Sequence, residues 1–145
     1  PNDLSIKLYP SLCFFEGTIV SLGRGTNYPF QVLGYPGMKN GNTEFTPKSI
    51  PGVSDHPKFE NQLCQGIDFR KVQAANQLKN SLSLSKLIDI YKEYPNKDKF
   101  FTSFFDKLAG SDELRKMIEN GNSEEEIRAS WQDDLKQYAY LRGKY

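Results

Sequence analysis

Residues 62–69 read Gln62-Leu63-Cys64-Gln65-Gly66-Ile67-Asp68-Phe69, and residues 84–91 read Leu84-Ser85-Lys86-Leu87-Ile88-Asp89-Ile90-Tyr91. In the first stretch Leu63, Gln65, Ile67 and Phe69 share one side of an alternating pattern, the period of a strand with one face on a core. In the second, Leu84, Leu87, Ile88 and Tyr91 fall at i, i+3, i+4 and i+7, which is one face of a helix, and Pro95 stops it. The change of period from two to about 3.6 within one short chain predicts an α+β domain, with sheet and loops first and helices last.

Working outward, the two sides of that switch differ in composition. Seven of the eight prolines and eight of the eleven glycines lie in the first 66 residues, with turn signals at Tyr35-Pro36-Gly37 and Asn40-Gly41. Short strands and ordered loops are expected there, including a strand over residues 30–35. Residues 8–15 fit a short helix ending at Gly17 or a strand equally well. On the C-terminal side three to four helices are expected. Phe100, Phe101, Phe104, Phe105 and Leu108 form an apolar face closed by Gly110, read as core in preference to a docking surface. Ser111, Asp112 and Glu113 suit a helix start, and Gly121 suits the left-handed end of that helix. Ser123 followed by Glu126 forms a capping box, opening a last helix expected to bury Ile127, Trp131, Leu135 and Tyr138.

The 145 residues fit one domain. Nineteen Lys+Arg against eighteen Asp+Glu give a net charge of +1, so there is no electrostatic case for a nucleic-acid partner. No apolar run approaches the roughly 20 residues of a membrane span. A single histidine, His56, excludes a multi-His metal site from this chain alone, and no metal or organic cofactor is expected. Cys13 and Cys64 lack metal or redox spacing and read as small buried apolar residues, with a disulfide left open. The chain opens on Pro1 without an initiator Met, which reads as a piece of something longer.

Chemistry concentrates between residues 15 and 26. Glu16, Thr18, Ser21, Arg24 and Thr26 place a carboxylate, a guanidinium and three hydroxyls within eleven positions, and Gly23 and Gly25 bracket the arginine. Glycines there permit positive φ and close approach to the main chain, and the amides of such a turn can form an anion nest. Arg24 offers a planar fork matched to a carboxylate or phosphate. No GxxxxGK[ST] run exists and the third glycine of GxGxxG is missing, so nucleotide binding fails on spacing. On spacing alone two readings stand: Glu16 and Arg24 pair merely to hold a turn, or they line a site for a small anionic or hydroxylated ligand. Asp68 lies opposite Ile67 and Phe69 in the alternation, either lining a site or exposed. Tyr28, Pro29 and Phe30 add aromatic surface of the kind on which sugars stack.

Leu12-Cys13-Phe14-Phe15-Glu16-Gly17-Thr18, then Ser21-x-Gly23-Arg24-Gly25-Thr26 and Pro29-Phe30, resemble the signature segment of the NamZ-type exo-β-N-acetylmuramidases, a family long catalogued as of unknown function. The resemblance continues through Cys64-Gln65-Gly66-Ile67-Asp68 and Leu108-Ala109-Gly110-Ser111 with Leu114-Arg115. It runs on through Ile118-Glu119-x-Gly121, Ile127, Ser130-Trp131, Leu135 and Arg142. It implies the C-terminal domain of a two-domain peptidoglycan glycosidase, whose N-terminal Rossmann-like domain and main catalytic carboxylate are absent from these residues.

The implied substrate is a muropeptide or peptidoglycan-derived sugar, and the implied location is the bacterial cell envelope, periplasmic or secreted. The implied substrate-binding residues are Glu16, Thr18, Ser21, Arg24, Gly25, Thr26 and Asp68. Arg24 would face the lactyl carboxylate of muramic acid, and Glu16 would orient Arg24 in preference to serving as a second catalytic carboxylate. Two further readings remain: a non-catalytic cell-wall-binding module, and a buttressing domain, which predicts a large apolar patch.

Overall fold

The computed structural model describes residues 2–71 and 82–144, and its α+β class is the one the change of period predicts. Helix α1 (Asp3–Leu12) runs into a 3-10 turn (Cys13–Gly17), and strands β1 (Val32–Tyr35), β2 (Thr43–Phe45) and β3 (Cys64–Asp68) follow. The second half holds α2 (Ser85–Glu93), a 3-10 turn (Lys97–Lys99), α3 (Phe104–Ala109), α4 (Glu113–Glu119), α5 (Glu124–Ser130) and α6 (Gln132–Arg142).

Helix α1 resolves the ambiguous period of residues 8–15. A capping box between Asn2 and Ser5 starts it, and Leu8 and Leu12 enter the core. The sheet has the order β1-β3-β2 with both pairings antiparallel; Leu33 faces Ile67, and Thr43 faces Gly66. The strand expected over residues 30–35 begins two residues later, because Phe30 takes a positive φ of 60° and belongs to the preceding turn. Residues 62–69 shorten to Cys64–Asp68, and Leu63 is exposed outside the strand. The more buried face of β3 carries Cys64, Gly66 and Asp68. Strand β2 escaped the pattern because three residues are too few to show a period.

Leu84, Leu87, Ile88 and Tyr91 are buried together, as their spacing predicts. Phe100 and Phe105 are fully buried, Phe101 packs 4.4 Å from Phe105 between ring centres, and Phe104 is exposed. Burial of such a phenyl ring contributes about 2–3 kcal/mol, so this cluster and Phe15 carry much of the core. Gly110 and Gly121 have positive φ as expected at helix ends, and the Ser123–Glu126 capping box is formed.

The last helix differs from expectation. It breaks at Trp131, giving five α-helices in the described second half in place of three to four. Ile127 is buried and Trp131 partly so, but Leu135 and Tyr138 are exposed, because no described element packs over α6. Cys13 and Cys64 are free thiols, and burial pushes Cys64 up to about 11. No helix among the described residues is long and apolar enough to cross a membrane.

Residues 17–21 form the spine that carries the site. The Ile19 amide donates to the Phe100 carbonyl at 2.8 Å, and Ser21 and Gly34 exchange amide and carbonyl bonds at 2.9 Å. The segment is thereby bridged to β1 on one side and to the start of the Phe cluster on the other.

Candidate functional site

The turn from Ser21 to Tyr28 is built by its own hydroxyls. Ser21 Oγ accepts from the Gly23 amide at 3.3 Å. Thr26 Oγ1 donates to the Gly23 carbonyl at 2.6 Å and accepts from the Tyr28 amide at 3.0 Å. Thr18 is fully buried, its Oγ1 donating to the Phe15 carbonyl and accepting from the Val20 amide. Three of the residues expected at a ligand therefore shape the backbone that presents Glu16 and Arg24.

Gly23 and Gly25 have φ of 72° and 80°, as the bracketing of Arg24 predicts. Their second property is contact with protein. A Cβ on Gly25 would stand 2.6 Å from the Lys48 carbonyl oxygen and 2.7 Å from Pro57 Cγ. The missing side chain lets the loop of residues 46–63 seat on the Arg24 turn, where the Lys48 amide donates to the Gly25 carbonyl at 2.8 Å.

Between turn and loop lies a cavity of about 200 Å³ lined by Glu16, Ser21, Arg24, Ser54, His56 and Lys58 among others. Arg24 Nη2 donates to Glu16 Oε1 at 3.0 Å, and its guanidinium lies 5.0 Å from the centre of the Phe30 ring. Arg24 remains 51% exposed in its side chain, so part of its fork is open to solvent. Phe30 also meets Tyr9, with ring centres 5.2 Å apart, and Ile6, Tyr9, Pro10 and Phe30 line an apolar groove.

Lys58 is the unforeseen member. Although the residue as a whole is exposed, its ammonium is turned inward onto four main-chain carbonyls. Nζ donates toward Thr18 O at 2.5 Å and toward Phe15 O, Glu16 O and Val20 O at 3.2 Å each. Burial of that charge pulls its pKa down to about 8, against the opposing pull of Glu16 and with Arg24 adding to the lowering. Nothing in the local pattern around Lys58 signals this, since its partners lie about forty positions upstream (38 to 43).

Asp68 is not brought into this cavity. It is buried, with its two oxygens bonded by Arg70 Nε at 2.9 Å and Nη2 at 2.8 Å, and Arg70 stacks 3.4 Å over the Tyr28 ring. The Arg70 guanidinium holds the Asp68 carboxyl below its ordinary range, against burial. Tyr28 thus lends its ring face to an arginine of this chain. Among the described residues no group of three or more His, Cys, Asp or Glu is placed to hold a metal ion.

A family model described as exo-β-N-acetylmuramidase NamZ, C-terminal, matches residues 7–145. The chain is 35% identical over its whole length to a peptidoglycan β-N-acetylmuramidase NamZ of Bacillus subtilis (strain 168), of which it spans 38%. It is also similar to the crystal structure of a DUF1343 family protein from Bacteroides fragilis NCTC 9343, with 46% identity and a TM-score of 0.88. All of this chain and 41% of that one are covered, so the chain spans about two-fifths of the length of the relatives it matches.

Proposed function

Because the chain belongs to the family of NamZ C-terminal domains, we propose that it supplies the substrate-contacting wall of a bacterial cell-envelope glycosidase. In this reading the whole enzyme releases N-acetylmuramic acid from the non-reducing ends of peptidoglycan fragments. A preceding Rossmann-like domain completes the cleft and brings the main catalytic carboxylate. The observation that supports this chain's part is the state of Arg24: tied to Glu16 by one bond, backed by Phe30, and still half-exposed on a cavity wall.

Muramic acid differs from glucosamine by a lactyl ether bearing a carboxylate. A guanidinium with donors to spare is suited to bind that group through paired N–H bonds. Glu16 fixes the direction of the fork, so its role here is orientation. Ser21 reaches the cavity wall, while Thr18, Thr26 and Gly25 act through the backbone they shape. Asp68 supports the aromatic turn from outside the cavity through Arg70.

The test is titration of the chain, and of Arg24→Ala, with N-acetylmuramic acid and with N-acetylglucosamine. Preference for the lactyl sugar that disappears in Arg24→Ala is the expected result; equal affinity for both sugars in the parent chain would overturn the assignment of Arg24. Incubation with a muramic acid glycoside is expected to show negligible turnover by these 145 residues, and normal turnover would sink the two-domain reading. Tight binding to insoluble cell wall by the chain alone would favour a binding module.

A further inference from the structure

We infer that Lys58 is the positioning residue of this cavity: by gathering the carbonyls of Phe15, Glu16, Thr18 and Val20 onto one ammonium, it fixes where Glu16, and through it Arg24, points. Four carbonyl oxygens converge within 3.2 Å of Nζ, whereas an ammonium has three N–H groups, so at least one bond is shared. Carbonyl dipoles turned to a common point repel one another and form a concave cation seat, which a side chain without donors would leave uncompensated, although Phe15 O also accepts from the Thr18 amide and hydroxyl. The seat spans the backbone on both sides of Gly17, the region from which Glu16 projects.

The ammonium arrives from a loop that is itself pinned to the other half of the site. The Lys48 amide bonds the Gly25 carbonyl, Pro57 packs against Gly25, and the Asn61 amide bonds the Pro47 carbonyl at 2.8 Å. Phe59, next to Lys58, holds a φ of 57°, a conformation costly for an aromatic residue. The loop therefore accepts local strain beside the very residue that reaches the carbonyls. The loop thus closes on the Arg24 turn through Lys48 and Pro57 and on the Glu16 turn through Lys58. Deleting Lys58 leaves every other cavity side chain present but no longer held in register. A misplacement of about 1 Å in such a group is enough to cost a hundredfold in a reaction.

The consequence for ligand binding rests on the muramic-acid reading above; the positional claim does not, so the test has two arms. In the first, backbone amide and Arg24 Nε–H NMR signals are compared among the parent chain, Lys58→Met and Lys58→Arg without ligand. Lys58→Met is expected to shift or broaden the signals of residues 15–24 while those of α4 and α5 stay in place, and Lys58→Arg, which keeps the charge, to restore them in part. Unchanged signals over residues 15–24 in Lys58→Met, or identical behaviour of the two variants, would overturn the inference. If Lys58→Met does not fold, Lys58→Arg alone decides: shifts confined to residues 15–24 support the inference and shifts spread through the helices overturn it.

In the second arm the preference for N-acetylmuramic acid over N-acetylglucosamine is expected to fall roughly tenfold in Lys58→Met and to recover partly in Lys58→Arg. A preference that survives in a folded Lys58→Met chain would overturn the role in ligand selection. Absence of any preference in the parent chain would count against the muramic-acid reading alone, leaving the first arm to decide on Lys58.

Discussion

Two arginine–carboxylate pairs, eight and nine residues apart in the chain, look alike in sequence and differ in what they leave free. Arg115 binds Asp106 through Nε and Nη2, both at 2.9 Å, and gives Nη1 to Glu119 at 3.1 Å. All three of its nitrogens are engaged, Nε and Nη2 in fastening α4 to Asp106 of α3 and Nη1 in a bond within α4. Arg24 gives Glu16 a single bond of 3.0 Å and is twice as exposed, 51% against 26%. A fork gripped on all its nitrogens by two carboxylates is a fastener, while a fork held by one bond and half-exposed on a cavity wall keeps an edge open to an external anion. The same residue types thus serve packing in the helical half and, in the function proposed above, recognition in the loop half.

Phe105→Ala should have the largest effect and tests whether the two halves are separable. Phe105 is fully buried, and its backbone lies against Gly17, where an added Cβ would meet Phe105 Cα at 2.5 Å. Loss of the ring should cost about 4 kcal/mol. Urea unfolding followed by Trp131 fluorescence and by far-UV circular dichroism is expected to show one coincident transition. Two separated transitions would mean that the loop half and the helical half fold independently.

Gly25→Ala comes next, at about 3 kcal/mol, since it combines a positive φ with contacts to the Lys48 carbonyl and Pro57 that a methyl group would overlap. Its damage should be local as well as global, with the loop of residues 46–63 lifted from the turn. Hydrogen exchange at the Lys48 amide is the measurement, and an Ala variant with unchanged protection there would show that the turn tolerates the extra carbon. The same residue illustrates how far sequence reasoning reached. The positive φ at Gly23 and Gly25 and the Arg24–Glu16 pairing were legible because turn chemistry is local. The contact with residues 48 and 57, and Lys58 reaching back to residues 15–20, were not, because a long loop carries no periodicity to announce where its side chains land. In the helical half the period revealed α2 and its buried face, yet it also predicted burial of Leu135 and Tyr138, which the structure leaves exposed. A hydrophobic stripe reports a tendency to be covered, and what covers it is information from elsewhere in space.

The two arginines can be compared directly. Arg115→Ala should lower the melting temperature by roughly 3 °C, while Arg24→Ala should change it by less than about 1 °C, as for an exposed pair. Differential scanning calorimetry on both variants decides, and equal losses would erase the distinction between fastener and recognition group.

The smallest effect is on the acid side of the stability profile. The hydrogen bonds from Arg115 hold the Asp106 carboxyl below its ordinary value, and Arg70 does the same for Asp68. In the unfolded chain both carboxyls titrate near about 3.9. Below that value the unfolded state takes up protons that the folded state still refuses, so stability falls with falling pH until the folded carboxyls protonate too. Above it the contribution is constant. In Arg115→Ala the Asp106 part of this difference disappears, and the loss of stability on acidification should be shallower than in the parent chain. Urea unfolding at several pH values between about 2.5 and 5 measures the slope on each side of the unfolded carboxyl value. Superimposable acid limbs for the two proteins would show that the bidentate pair fixes the helices by shape alone, with no preference for the charged carboxylate.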